Sequence, residues 1–375
     1  MGLVQRDRAR RWLAVCTAVG ALAVTPALIG ARPAADSGAR ADQLVEQALG
    51  SEHVAHQGLV QVDGRLGLPS LPVESSGLTL VDQSTRIRSW WTSSDAWRTD
   101  VLRTGGQQTE FATADGTRQW DYEQNTVDDH IITGNVRLPR AEDLLPPAAG
   151  RSLLAWISPE DRVRRIGARI VAGRTADGVR VEPGDDRSSV GHLDVWIDPN
   201  TGLPLQLDVY AHGAGQPAFS TRFMDLSYDR PAAALTHPAM TPTARYELTV
   251  RRDLLAYVSA TGRALFPAKI GSFPALTGVG LPAGIATYGG GFARIALVQL
   301  PARFAPRVLD SLVGTPARAA AGGRLVILGS ALLQVAILQP DSGGTYLLAG
   351  TLTSTAMAGT AATALLELDG SGAAR

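Results

Sequence analysis

The sequence predicts an α+β protein: a curved antiparallel sheet with helical cover, followed by a smaller α/β domain. Three observations predict it. Between Gly58 and Asn135, short apolar-alternating segments punctuated by turn residues recur about every ten residues, the spacing of a β-meander. An amphipathic helical stripe, Ala41, Leu44, Val45, Ala48 and Leu49, precedes them. After them, residues 229–245, DRPAAALTHPAMTPTAR, are rich in Pro, Ala and Thr and lack periodicity, as a connector between domains does.

The elements follow in chain order. Arg6, Arg8, Arg10 and Arg11 precede an apolar run from Trp12 to Ala31, the order of an export signal, with small residues Gly30 and Ala31 as a cleavage site and the mature chain starting near Arg32. A run of this length also spans a bilayer if uncleaved, so residues 1–36 read as a signal peptide or an N-terminal anchor. Ser37 is the expected N-cap of the amphipathic helix. The meander then runs through GLVQVDG, STRIRSWWTSS, WRTDVLRTGG, QTEFATADG, TRQWDYEQN and TVDDHIITGN, with GRLGLPSLPVESSG as a long surface loop. EDLLPP and RSLLAWISPEDRVRR read as one or two helices, and further strands follow to Asp229.

Among those later strands, VWIDPNTGLPLQLDVY, residues 195–210, is a hairpin. Val195 and Ile197 share one parity on the way in, and Leu203, Leu205, Leu207 and Val209 share one on the way out. Asp198-Pro199-Asn200-Thr201-Gly202 supplies the turn. The first domain therefore occupies 37–230, a linker 231–245, and a second domain 246–375. In the second domain the segments IATYGG, FARIALVQLP, RLVILG, LQVAILQ and TYLLAGTL read as strands, while RFAPRVLDSLVG and TSTAMAGTAATALLEL read as helices.

Composition restricts function. The chain's 375 residues accommodate two cores, and 35 basic against 35 acidic residues leave no electrostatic footprint for nucleic acid. Cys16, inside the apolar run, is the only cysteine, so the exported part has no disulfide, no Cys-ligated zinc and no thiol nucleophile. Six histidines, at 53, 56, 130, 192, 212 and 237, lack the pairing of a metal site. The segment Asp128-Asp129-His130 reads as an acidic turn running into a strand, and no nucleophile-elbow or zinc-protease motif is present. No catalytic residue, metal or cofactor is expected.

The aromatic residues concentrate on the strands of the first domain: Trp90, Trp91, Trp97, Phe111, Trp120, Tyr122 and Trp196. They either fill an ordinary core or line a ligand cavity, and a long meander that curls favours the second by leaving a concave apolar face. An acyl chain suits such a space, since each buried methylene contributes about 0.8 kcal/mol. Strand parity places Trp91, Val101, Phe111, Trp120, Tyr122, Val195, Ile197, Leu205 and Leu207 on that concave side as the lipid-binding lining.

Several of these segments carry a family resemblance. V-x-I-D-P-x-T-G-L-P-L-x-L resembles the late hairpin of the LolA/RseB group of bacterial envelope proteins, and ADGTRQWDYEQNTV resembles their D-G-x-x-x-W-x-Y segment. HQGLVQV after the helix is similar to that group's start, IATYGGGFARIALVQL to a hairpin of the RseB C-terminal domain, and TYLLAGTLTSTAMAGTAATAL to its closing strand and helix. The fold implied is a LolA-like half-open β-barrel with helical cover, then a small RseB-type domain. The function implied is non-enzymatic: binding the acyl chain of a lipid or lipoprotein, and sensing or regulating envelope stress through a membrane-embedded anti-sigma factor. A LolA-like lipid or lipoprotein carrier and a structural interaction module with a filled core remain as alternatives. The implied location is extracytoplasmic, with membrane-surface association if residues 12–31 anchor the chain. The Pro-rich insertion at 66–77 and the Ala/Gly-rich second domain depart from the group's pattern.

Overall fold

A computed structural model describes residues 34–67, 80–113, 116–131, 139–237, 239, 243–249, 266–276, 284–302, 305–306 and 317–373. The expected signal or anchor, most of the Pro-rich loop at 66–77, and nearly all of the expected helix RFAPRVLDSLVG lie outside the described residues. No described helix is long and apolar enough to cross a membrane.

Helix α1 (Ala41–Leu49) opens the described chain. The meander then forms β1 (His56–Gly64), β2 (Ser84–Ser93), β3 (Ala96–Arg103), β4 (Gly106–Thr113), β5 (Gly116–Asp121) and β6 (Thr126–Ile131). A short 3-10 turn (Glu142–Leu144) leads to helix α2 (Pro146–Leu154), whose prolines occupy the first helical positions, where no backbone donor is needed. After it come β7 (Arg162–Val171), β8 (Arg174–Glu182), β9 (Val190–Ile197), β10 (Pro204–Ala211) and β11 (Pro217–Ser227). The helical reading of DRVRR is therefore corrected: Pro159 and the turn before Arg162 end the helical stretch, and Arg162–Arg165 begin a strand.

A short helix α3 (Ala233–Thr236) interrupts the connector, and β12 (Arg245–Thr249) follows. These strands form one twelve-stranded sheet in the order β12-β6-β5-β4-β3-β2-β1-β11-β10-β9-β8-β7, antiparallel except for the β12–β6 pair. β12 straddles the boundary drawn at 246, so the first sheet takes its edge strand from beyond the Pro-rich connector. The rest of the described chain makes a hairpin of β13 (Lys269–Ile270) and β14 (Phe273–Pro274), and a six-stranded antiparallel sheet. That sheet holds β15 (Ile285–Gly290), β16 (Ala293–Leu300), β17 (Ala317–Ala320), β18 (Leu325–Gly329), β19 (Gln334–Leu338) and β20 (Thr345–Gly350). Helix α4 (Ser354–Ala373) packs on one face through Met357, Ala361, Ala364, Leu365 and Leu368.

The start of α1 differs from expectation in a way that ties it to the large sheet. Its N-cap is Arg40, whose backbone N–H donates to Gln43 Oε1 at 3.0 Å. Ser37 instead donates to Asp177, a fully buried carboxylate of β8 that also pairs with Arg165 at 3.2 Å. A buried carboxylate needs such partners, because stripping its water without replacing it costs several kcal/mol.

The hairpin at 195–210 holds α1 from the other end. Asp198 is buried; one of its carboxylate oxygens accepts the Asn200 N–H at 2.9 Å and the other accepts the Tyr228 hydroxyl at 2.5 Å. Gly202 closes the turn at φ +73°, and a Cβ there would stand 2.5 Å from the carbonyl oxygen of Gln47 in α1. Gly202→Ala thus combines a left-handed backbone with a clash and is expected to cost about 3 kcal/mol, read as a lower urea midpoint with unchanged slope.

The second sheet has its own core against α4, and two residues from its turns join the core of the first. Phe292 and Leu332, from the second sheet's turns, pack in the same cluster as Val195 and Leu205. The β8–β9 connection makes the polar joint: Ser188 Oγ donates to Phe292 O at 3.1 Å, Ser189 N to Thr351 O at 3.0 Å, and Thr353 N to Arg187 O at 2.7 Å. Arg187 lies 4.0 Å over the Phe273 ring and Arg294 4.7 Å over the Trp156 ring.

Candidate ligand-binding cavity

Pairing register decides which side chains share a face. His56, Trp91 and Trp97 lie directly opposite one another across β1, β2 and β3, and Ser89 faces Thr99 one row further in. Val60, Ile87 and Val101 make the next row. On the other half of the sheet, Thr221 faces Val62 and Leu207, Leu207 faces Val195, and Val195 faces Val179. Trp91, Val101, Val195, Ile197, Leu205 and Leu207 are therefore on one face, the one that α1 and α2 cover.

Phe111, Trp120 and Tyr122 are not with them, which corrects the parity assignment. The tight turn at Thr104-Gly105 pairs Leu102 with Gln107, so odd positions of β3 face even positions of β4. Ala112 and Thr117 inherit the helix-covered face, while Phe111 faces Arg98, and Trp120 faces Thr109, on the opposite one. Trp120 and Tyr122 meet there with ring centroids 5.2 Å apart, Trp120 buried and Tyr122 exposed.

The residues that do share the covered face divide again. Val195, Ile197, Leu205 and Leu207 have no solvent exposure and sit under α2, where a Cβ on Gly150 would meet Pro204 at 2.9 Å and Val195 Cγ1 at 3.7 Å. They are packed core. Val101 is also in that cluster. Of the nine, Trp91 lines a cavity of about 720 Å3 between β2–β5 and α2. Its floor is Trp91, Trp97, Ala112 and Thr117; its roof is Ala148, Arg151, Ser152 and Ala155; Leu49, Glu52, Ser94, Asp95, Thr113, Gly116, Glu142 and Asp143 form the rim. The volume falls in the range of small-molecule sites.

Each wall has a local cause. Ala148, Arg151, Ser152 and Ala155 repeat at three- and four-residue spacing, one stripe of α2, while Ala149, Gly150 and Leu154 turn inward to the core. Trp91 and Trp97 stack at 6.5 Å and 13° because they are a cross-strand pair beside a tight turn. Their indole N–H groups are anchored outward, Trp91 Nε1 to Glu52 O and Trp97 Nε1 to Ser94 O, both at 3.1 Å.

Behind Trp91, His56 stacks on it at 6.3 Å and meets the edge of Phe223 at 5.7 Å. Burial pulls the His56 imidazole down to about 4, with the hydrogen bond to Val54 opposing and Arg151 adding to the depression. Burial likewise lowers the Arg151 guanidinium from its ordinary value, against the pull of Glu52. Among the described residues, no group of three or more His, Cys, Asp or Glu side chains is placed to hold a metal ion.

Sequence reasoning missed Glu52, Asp95, Ala112, Glu142 and Arg151 as cavity residues, and named Trp97 among the aromatic candidates without placing it on the lining. The signal for the α2 face was present in its three- and four-residue spacing, but the acidic rim comes from separate turns that no local pattern connects.

The site is thus a cavity between an unclosed, almost wholly antiparallel sheet and a covering helix. No family model matches the chain, and no curated protein matches it. Among solved structures, those similar to it include MucB and members of the LolA superfamily. The crystal structure of MucB is 20% identical over 86% of this chain and 96% of that one, with a TM-score of 0.44. The MucA/MucB complex of Pseudomonas aeruginosa is 19% identical over 87% and 96%, also at 0.44. A putative outer membrane lipoprotein-sorting protein domain from Vibrio parahaemolyticus is 10% identical over 51% and 92%, at 0.21.

Proposed function

We propose that this chain is a non-enzymatic, extracytoplasmic binding protein of the RseB kind, whose half-barrel holds an apolar chain of a lipid or lipoprotein and whose second sheet passes that state to a partner. The observation that carries the reading is the cavity between the sheet and α2, floored by the stacked Trp91 and Trp97. Flat indole surface offers a large apolar contact without any reacting group, which suits retention better than chemistry. The sequence resemblance supplies the partner class, a membrane-embedded anti-sigma factor. MucB has been crystallised in complex with MucA(peri).

The packing of the second sheet's turns into the first core favours a coupling protein over a simple carrier. A carrier needs only its half-barrel, whereas here Phe292 and Leu332 of the second sheet belong to the first sheet's apolar cluster, Phe292 against Trp156 just past the end of α2. A change in α2 on ligand entry then has a direct mechanical path to the second sheet.

The test is uptake of an uncharged fluorescent alkyl probe by the purified chain, followed by quenching of tryptophan emission. Trp97→Ala should weaken binding about tenfold, since it removes one half of the aromatic floor. Unchanged affinity in that variant, or no uptake by the parent protein, would rule the cavity out as the site. Mass spectrometry of lipid extracted from the protein as isolated identifies the natural chain.

A further inference from the structure

The cavity roof and the second sheet meet at one side chain, and what that side chain does to ligand affinity rests on the amphiphile reading above. Ala148, Arg151, Ser152 and Ala155 roof the cavity, and Trp156 follows at once. The end of α2 holds it firmly: Trp156 N donates to Leu153 O at 3.0 Å and Ile157 N to Leu154 O at 3.2 Å. A shift of the roof therefore carries the indole with it. On the inward side, a Cβ on Gly150 would stand 2.9 Å from the Pro204 Cβ. With packing that close the helix has no room to sink toward the sheet, and it yields to a ligand by pivoting outward about that contact.

The β15–β16 turn grips the far end of this lever. The Trp156 ring lies 6.1 Å from that of Phe292, which is buried. The Arg294 guanidinium stands 4.7 Å over the indole, while its Nε donates to Gly291 O at 2.9 Å, so one side chain both braces the turn and covers the ring. Burial lowers the Arg294 guanidinium from its ordinary value, and a desolvated cation gains more from an aromatic face than an exposed one does. Phe292 O accepts Ser188 Oγ at 3.1 Å and Thr351 Oγ1 at 2.7 Å, which fixes the turn to the β8–β9 connection and to the residue just past β20.

We propose that Trp156 is the residue through which cavity occupancy and the second sheet regulate each other: seated between Phe292 and Arg294 it holds α2 down, and ligand entry lifts it from that seat. Phe292 and Arg294 are positioning residues, since neither lines the cavity. Linkage makes the effect reciprocal. Whatever weakens the seat tightens ligand binding, and whatever lifts α2 loosens the β15–β16 turn.

The experiment titrates the full protein with the uncharged alkyl probe, read by the probe's own emission, and follows hydrogen exchange at the amides of residues 293–295 in β16. Arg294→Gln removes the cation and Trp156→Phe shrinks the ring, both conservatively enough to keep the fold. Each should bind the probe about fivefold more tightly than the parent, the low end of ordinary site-to-site coupling. A variant that had lost only stability would bind it equally or more weakly. In the parent, saturating probe should speed exchange at these three amides, and in Trp156→Phe the change should be smaller. Unchanged or weaker binding in both variants, or exchange in β16 indifferent to the probe, overturns the coupling while leaving an amphiphile site in place. If the parent takes up no probe, the amphiphile reading itself falls and the inference with it.

Discussion

Leu205→Glu should abolish folding of the large sheet. Leu205 has no solvent exposure and packs in the cluster that joins α1, α2, β1, β8–β11 and two residues of the second sheet. Removing its side chain alone costs about 2–5 kcal/mol. Placing a carboxylate there with no partner adds several more, bringing the total to at least about 5 kcal/mol, the scale of a whole domain's stability. Circular dichroism of the variant should show loss of the sheet signal at temperatures where the parent is folded. Ala155→Trp is the matched control: Ala155 is exposed at the cavity roof, so the variant should fold with a midpoint close to the parent's and lose the alkyl probe. A folded Leu205→Glu protein would mean that the cavity reaches further under α2 than the packing shows.

That contrast separates two things the sequence alone runs together, a filled core and an open wall. Alternation in VWIDPNTGLPLQLDVY was enough to place Val195, Ile197, Leu205 and Leu207 on one buried face, and the Asp-Pro-Asn-Thr-Gly turn carried its own conformational signature. Alternation says nothing of what lies above a face. Only the packing of Gly150 onto Pro204 shows that α2 closes over this half of the sheet, whereas Ala148 and Arg151 stand off from Trp91 on the other half. Parity also failed to carry across hairpins: the Thr104-Gly105 turn reverses which numbers point inward, and β4 buries Phe111 and Ala112 alike, so its own residues give no clue to the correct face. The capping of α1 was missed for a similar reason. Ser37 is a good N-cap by type, yet a buried carboxylate far along the chain, Asp177, takes its hydroxyl. In each case a contact distant in sequence outweighed a local preference.

Acid should weaken the protein through His56, and the sign follows from its surroundings. The imidazole is held neutral to about 4 in the folded chain by burial, with Arg151 nearby opposing a second positive charge, while an unfolded histidine takes its proton near 6.5. Between those values the unfolded chain binds more protons than the folded one, so stability falls as the pH drops from about 6.5 toward 4 and levels off below it. The gap corresponds to about 3 kcal/mol, enough to move a urea midpoint well outside error. Carboxylates such as Asp185, held below their ordinary value by Arg187, lose their contribution at lower pH and are common to any variant compared. His56→Gln keeps an N–H for Val54 O and cannot titrate, so its midpoint should be flatter across this window even if its stability at neutral pH is lower. Because His56 stacks on Trp91 and stays neutral in the folded chain down to about 4, alkyl-probe affinity of the folded parent should hold across this window and decline only near pH 4, where the folded imidazole takes its proton. Parallel pH profiles for parent and His56→Gln would show that the buried imidazole is not the group responsible.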